Sequence, residues 1–138
     1  MVFTQLFSEL LNENGNYKKL VKVLKCAEVG KDTTTWIDIR SCYDDGKDCK
    51  STKGGVCITP EELETLLPKM MEGKQYELES EKRLLQFKPS AIHRYIYDLS
   101  LRKFDGKESA LTLTMTEIRK MNFIREKIFE KCMFESKN

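Results

Sequence analysis

Two arginines carry the most chemical promise in this chain. Arg40 closes the segment Trp36-Ile37-Asp38-Ile39-Arg40, and Arg102 closes Asp98-Leu99-Ser100-Leu101-Arg102, 62 positions further on. A guanidinium at the end of a strand offers a planar fork of N–H donors to phosphate oxygens. Around the first arginine lie Lys22, Lys25, Trp36, Tyr43, Lys50 and Lys53, and around the second Arg94, Tyr95, Lys103 and Lys107. Cations for phosphates interleaved with aromatic faces for bases are what single-stranded nucleic acid requires. These residue types suggest binding and not catalysis.

Enzyme chemistry finds little support. Gly54-Gly55 lacks the frame of a phosphate-binding loop. His93 is the only histidine, and a Cys-His nucleophilic pair through it is possible but has no support in the sequence. Asp44-Asp45 and Glu61-Glu62 fit a turn and a helix N-terminus without any acid–base role. The five cysteines, Cys26, Cys42, Cys49, Cys57 and Cys132, are odd in number and have no export signal beside them. They read as free thiols in a reducing compartment, nuclear or cytoplasmic and not secreted. A zinc site from Cys42, Cys49 and Cys57 with Cys26 or His93 is the sharper alternative, but no C-x2-C pair exists. No catalytic residue, cofactor or metal is expected.

The elements that hold these residues form a repeat. Each arginine segment is followed by a loop, then by Val56-Cys57-Ile58-Thr59-Pro60-Glu61-Glu62-Leu63 in the first copy and Leu111-Thr112-Leu113-Thr114-Met115-Thr116-Glu117-Ile118 in the second. These parts are offset by 55 positions, because 15 residues separate Arg40 from Val56 and 8 separate Arg102 from Leu111. A period of this size is a repeat signal. Thr59 with Glu62 and Thr114 with Glu117 have the spacing of capping boxes, and Pro60 suits a first helical position. Leu63, Leu66, Leu67 and Met70 fall on one helical stripe, and so do Ile118, Met121, Ile124, Ile128 and Cys132. Both stripes read as core.

Strands are expected over 17–26, 33–42, 56–58, 84–87, 92–101 and 111–113. Alternation puts Ile37 and Ile39 on one face and Trp36, Asp38 and Arg40 on the other. Gly30-Lys31-Asp32, Pro89-Ser90 and Asp105-Gly106 mark turns. Residues 44–55 read as a polar loop and 72–81 as a short acidic linker. Phe3, Leu6, Phe7, Leu10 and Leu11 have helical spacing, which predicts an amphipathic N-terminal helix. The 138 residues, 40% hydrophobic and 33% charged, suit one compact body or two joined subdomains, and a net charge of +2 means that any basic field must be local. No apolar run is long enough to span a bilayer, so no membrane partner is expected.

The stretch Trp36-Ile37-Asp38-Ile39-Arg40-Ser41-Cys42-Tyr43, then Lys53-Gly54-Gly55-Val56-Cys57-Ile58-Thr59-Pro60-Glu61-Glu62-Leu63, resembles the positive cofactor four family of single-stranded-DNA-binding transcription coactivators. That resemblance implies four antiparallel strands and a helix per unit, and pairing of two units. It carries the family's strand arginine onto Arg40 and its following aromatic onto Tyr43. The loop lysines carry over to Lys50 and Lys53, and Arg102 takes the arginine place in the second unit. The family's aromatic hairpin is here Lys31-Asp32-Thr33, without an aromatic, and Asp105 stands where the second Tyr43 would fall. Base stacking is then weaker than in the family, or shifts to Trp36, Tyr95 or Tyr97. A second resemblance is to the tandem purine-rich-element-binding repeat.

The expectation is an α+β fold of two tandem ββββα units forming an intrachain pseudo-dimer, plus a short N-terminal helix. The divisions are residues 1–16 for that helix, 17–75 for the first unit and 76–138 for the second. The implied function is single-stranded DNA or RNA binding in transcription or replication, with that machinery as a further partner. The chain is expected as a monomeric pseudo-dimer or a homodimer. A protein-interaction module that keeps the fold without the groove is the alternative.

Overall fold

The computed structural model describes residues 2–47 and 49–136, and among these every side chain but those of residues 49, 51–53 and 134–136. Along the chain run β1 (Val2–Asn14), β2 (Tyr17–Ala27), β3 (Thr34–Asp44), β4 (Cys49–Ile58) and α1 (Pro60–Glu72). Then come β5 (Tyr76–Glu79), β6 (Arg83–Pro89), β7 (Ile96–Lys103), β8 (Glu108–Thr114), α2 (Met115–Phe123) and α3 (Arg125–Ser136). The strands make two four-stranded antiparallel sheets, ordered β1-β2-β3-β4 and β5-β6-β7-β8.

Alternation decides which face of each sheet is buried. Val21, Val23, Ile37, Ile39, Val56 and Ile58 point inward from the first sheet, and Leu85, Phe87, Leu99, Leu101, Leu111 and Leu113 from the second. Leu63, Leu66, Leu67 and Met70 of α1 join them with Ile118, Met121, Ile124, Ile128 and Cys132. All of these belong to one continuous core. Thr59 caps α1 and Thr114 caps α2, each with the reciprocal glutamate bond the spacing predicts. Gly73 ends α1 at φ 70°, a left-handed conformation that suits glycine. The second stripe is carried by two helices, since the chain departs from helical geometry at Ile124.

Several expectations need correction. Residues 2–14 form an extended strand, β1, in place of the expected N-terminal helix. The 44–55 segment is largely strand, because β4 starts at Cys49 and pairs with β3 across an irregular register. The acidic linker contains β5, and the 92–101 strand begins only at Ile96. Cys26, Cys57 and Cys132 are free thiols, whereas Cys42 is disulfide-bonded, contrary to the all-thiol expectation.

The two halves are joined by reciprocal polar contacts. Arg83, at the start of β6, donates to the Cys57 carbonyl at 2.7 Å and pairs with Glu62, the capping-box glutamate of α1, at 3.1 Å. Lys19 of β2 donates to the Thr112 carbonyl at 2.7 Å and pairs with Glu117, the capping-box glutamate of α2, at 2.8 Å. Cys57 with Thr112 and Glu62 with Glu117 are the same 55-position offset seen in the sequence.

Candidate nucleic-acid interface

The outward face of the first sheet is built around β3. Leu24, Lys22 and Leu20 of β2 stand beside Trp36, Asp38 and Arg40, and Cys57 and Gly55 of β4 flank Asp38 and Arg40 on the other side. Asp38 is only 6% exposed. Arg40 satisfies it with a two-pronged bond, Nε to Oδ2 and Nη2 to Oδ1, each 3.0 Å. That bond raises the arginine's pKa above its usual value. The guanidinium lies over Gly55, where an added Cβ would come within 2.6 Å of Cζ. A side chain at this place would push the Arg40 guanidinium from its position. Arg40 is tied to its own carboxylate and is not a loose phosphate ligand.

Where the ends of β6 and β7 meet the first sheet, a cleft of about 460 Å³ is lined by Trp36, Glu81, Lys82, Arg83, Lys103, Phe104 and Asp105. Antiparallel pairing sets Arg83 opposite Lys103, so one hairpin end presents a cluster of cations. The Arg83 guanidinium lies 5.4 Å from the Trp36 ring centre. Its Nε is buried and has no hydrogen-bond partner among the described residues. Phe104 is 56% exposed. Lys82 and Lys103 are exposed and make no ion pair among the described residues. Cys57 lies within reach of the same charges: burial pushes its thiol up to about 11, while Arg83, Arg40 and Lys103 pull the other way.

A smaller cleft of about 250 Å³ occupies the equivalent place on the other side, lined by Asn12, Asn14, Tyr17, Lys18, Lys19, Ser41 and Glu117. Tyr17 packs edge-on against Tyr43 at 5.1 Å. The cations here are neutralised. Lys18 bonds Asp44 at 2.9 Å, which raises the amine's pKa and lowers the carboxyl's. Burial acts to raise the Glu117 pKa, yet hydrogen bonds from Lys19, the Thr114 amide and Asn12 outweigh it and hold the carboxyl below its usual range. The two clefts share a plan but differ in available charge.

The expected site residues therefore disperse. Trp36 and Lys103 meet in the larger cleft, and Lys107 sits exposed in the adjoining β7–β8 turn. Arg40 is nearby but tethered. Tyr43 belongs to the smaller cleft's side. Lys22 stands mid-sheet on the outward face, whereas Lys25 pairs with Thr35 on the alternate row. Lys50 is exposed and bonded to Asp45 at 3.4 Å. The side chain of Lys53 lies outside the described residues. Arg94 and Tyr95 belong to the β6–β7 loop, where Tyr95 is strongly exposed at φ 63°. Arg102 is exposed between Leu84 and Glu108, a different setting from that of Arg40. Tyr97 stacks on buried Phe87 at 5.2 Å and packs on the core, so it is not a free base platform. Lys82, Arg83, Phe104 and Tyr17 were not foreseen. The signal for the first three was two basic-containing pairs, Lys82-Arg83 and Lys103-Phe104, at the ends of strands that pair with each other.

No family profile matches the chain, and no curated protein matches it. Among solved structures, MRP1/MRP2 of Trypanosoma brucei is similar at 15% identity and a TM-score of 0.47, covering 89% of this chain and 82% of that one. A guide-RNA-binding protein complex bound to a guide RNA is similar at 14% identity and a TM-score of 0.47, covering 90% of this chain and 88% of that one.

Proposed function

We propose that this chain binds single-stranded nucleic acid, with the cleft between Trp36 and Phe104 as its principal site. The observation that carries this reading is the coincidence of two partly open aromatic rings with Lys82, Arg83 and Lys103 in one groove. Rings offer stacking platforms to any base, and the cations track the backbone. The finer reading is a tandem of two ββββα units acting as an intrachain pseudo-dimer, supported by the reciprocal Arg83–Glu62 and Lys19–Glu117 contacts. By its resemblance to the coactivator family, the strand would be DNA or RNA handled in transcription or replication.

Trp36 is the only tryptophan, so its fluorescence reports on this cleft directly. Titration with a single-stranded oligonucleotide is expected to change its emission saturably. Phe104→Ala should weaken binding by roughly 1–3 kcal/mol if one base stacks there. Lys103→Ala should reduce the salt slope by about 0.7 for one phosphate on a single strand. Unchanged emission together with no measurable binding, at low and moderate salt, would overturn the reading.

A second reading, a protein-interaction module, has its own observation. The outward face of the second sheet carries Glu77, Glu79, Asp98 and Glu108 against Lys88 and Arg102. That face is acidic and would repel a phosphate backbone.

A further inference from the structure

One edge of the first sheet, β1, has no further strand paired along it among the described residues, although α2 and α3 touch β1. β1 is bonded only to β2, while β4 at the opposite edge lies against β8, with Gly54 approaching the Ala110 carbonyl. The corresponding edge strand of the second sheet, β5, is four residues long and exposes Glu77 and Glu79. β1 is thirteen residues long. It contains no Lys, Arg or Pro, the residues that usually block pairing at an edge. Its exposed positions include Val2 at 63% and Phe3 at 58%. Phe3 and Leu10 share the outward face with half-buried Leu20 and Leu24, so the apolar surface continues inward from the edge.

We propose that β1 pairs antiparallel with β1 of a second copy of this chain, joining two four-stranded sheets into one. The charge pattern favours a like partner. Glu9 and Glu13 are the only charged residues of the strand, and each has a lysine of its own chain, Lys120 or Lys18, at 4.0 Å. In a two-fold pairing centred on Ser8, Glu13 falls opposite Phe3 and Glu9 opposite Phe7. No carboxylate then faces another directly, and Phe3 of each copy covers the aliphatic part of a glutamate. Opposed pairs of this kind are the unit that stabilises antiparallel sheets. The inference is independent of the nucleic-acid reading, since neither cleft includes the β1 edge beyond Asn12 and Asn14.

The test is the solution mass of the full chain without nucleic acid, by sedimentation over a wide concentration range. The expected result is a reversible shift from the 16.1 kDa chain to twice that mass. Ser8→Lys sets two like charges across the two-fold axis at an exposed position, so it should leave the melting temperature of the monomer unchanged. It should weaken self-association at least about tenfold, as one unfavourable contact of ordinary size would. Hydrogen exchange of the β1 amides should slow as protein concentration rises. Glu79→Lys on the other edge should change none of this. A chain that stays monomeric at hundreds of micromolar overturns the proposal and leaves the edge to a strand of another protein. A dimer indifferent to Ser8→Lys, with unprotected β1 amides, overturns it as well.

Discussion

Arg40 and Arg102 occupy equivalent places in the sequence repeat and different places in the energetics. Arg40 neutralises a carboxylate that is almost wholly buried, so removing it takes away the one ion pair that Asp38 makes among the described residues. An abandoned buried acceptor costs about 1–3 kcal/mol, more when it is charged. Arg40→Ala is therefore expected to lower the melting temperature, whereas Arg102→Ala, at an exposed position with no ion pair among the described residues, should not. Thermal melts of the two variants decide the point; equal and negligible shifts would mean that the Asp38 pair adds nothing. Gly55→Ala should mimic Arg40→Ala in part, by forcing the guanidinium off its seat. The repeat made the two arginines legible as a pair. It could not reveal the difference, because β3 and β4 pair across an irregular register past Arg40, while Arg102 faces Glu108 directly.

At the level of elements, the capping boxes do more than start helices. Glu62 and Glu117 each accept from the threonine amide of their own cap and from a cation of the other half of the chain. Glu117→Gln keeps the cap's shape but removes the charge that Lys19 needs, and Lys19 is itself mostly buried. Breaking a buried pair on one side costs roughly 3–5 kcal/mol, so a loss toward the lower end is expected at this partly accessible joint. The native carboxyl has a depressed pKa, so its contribution is complete above the unfolded-state value and is lost as pH falls through the folded-state one. Chemical denaturation from neutral pH down into the acid range should show a smaller loss of stability for Glu117→Gln than for the parent. The capping spacings and both helical stripes were readable because each is a local signal. The N-terminal strand was not. Register shifts between Gln5 and Phe7 and between Leu10 and Asn12 insert Leu6 and Leu11 as extra residues, and the broken alternation imitates a helical stripe. β5 was hidden by its brevity, and the polar start of β4 by the glycines that follow it, of which Gly55 still pairs with Arg40 of β3.

At the scale of the whole molecule, the single core sets how the chain must unfold. Residues from both sheets and from α1, α2 and α3 form one apolar cluster, and the polar joints at Arg83 and Lys19 cross between the halves. A fragment ending at Gly73 would uncover the parts of β3 and α1 that now touch α3, α2 and β5. At about 25 cal/mol per Å² of apolar surface returned to water, uncovering even a few such side chains costs as much as the total stability of a small domain. The two halves are therefore expected to behave as one body and not as two separately stable ones. The expected outcome is one cooperative transition for the full chain, with coincident midpoints from far-ultraviolet circular dichroism and from Trp36 fluorescence. Because Trp36 sits in the first half and packs under Arg83 of the second, its emission should report loss of the joint and of the core together. Two resolved transitions, or a folded fragment 1–73 with a native-like melt, would show that the halves are energetically separate and that the larger cleft is a surface between domains instead of a fixed part of one.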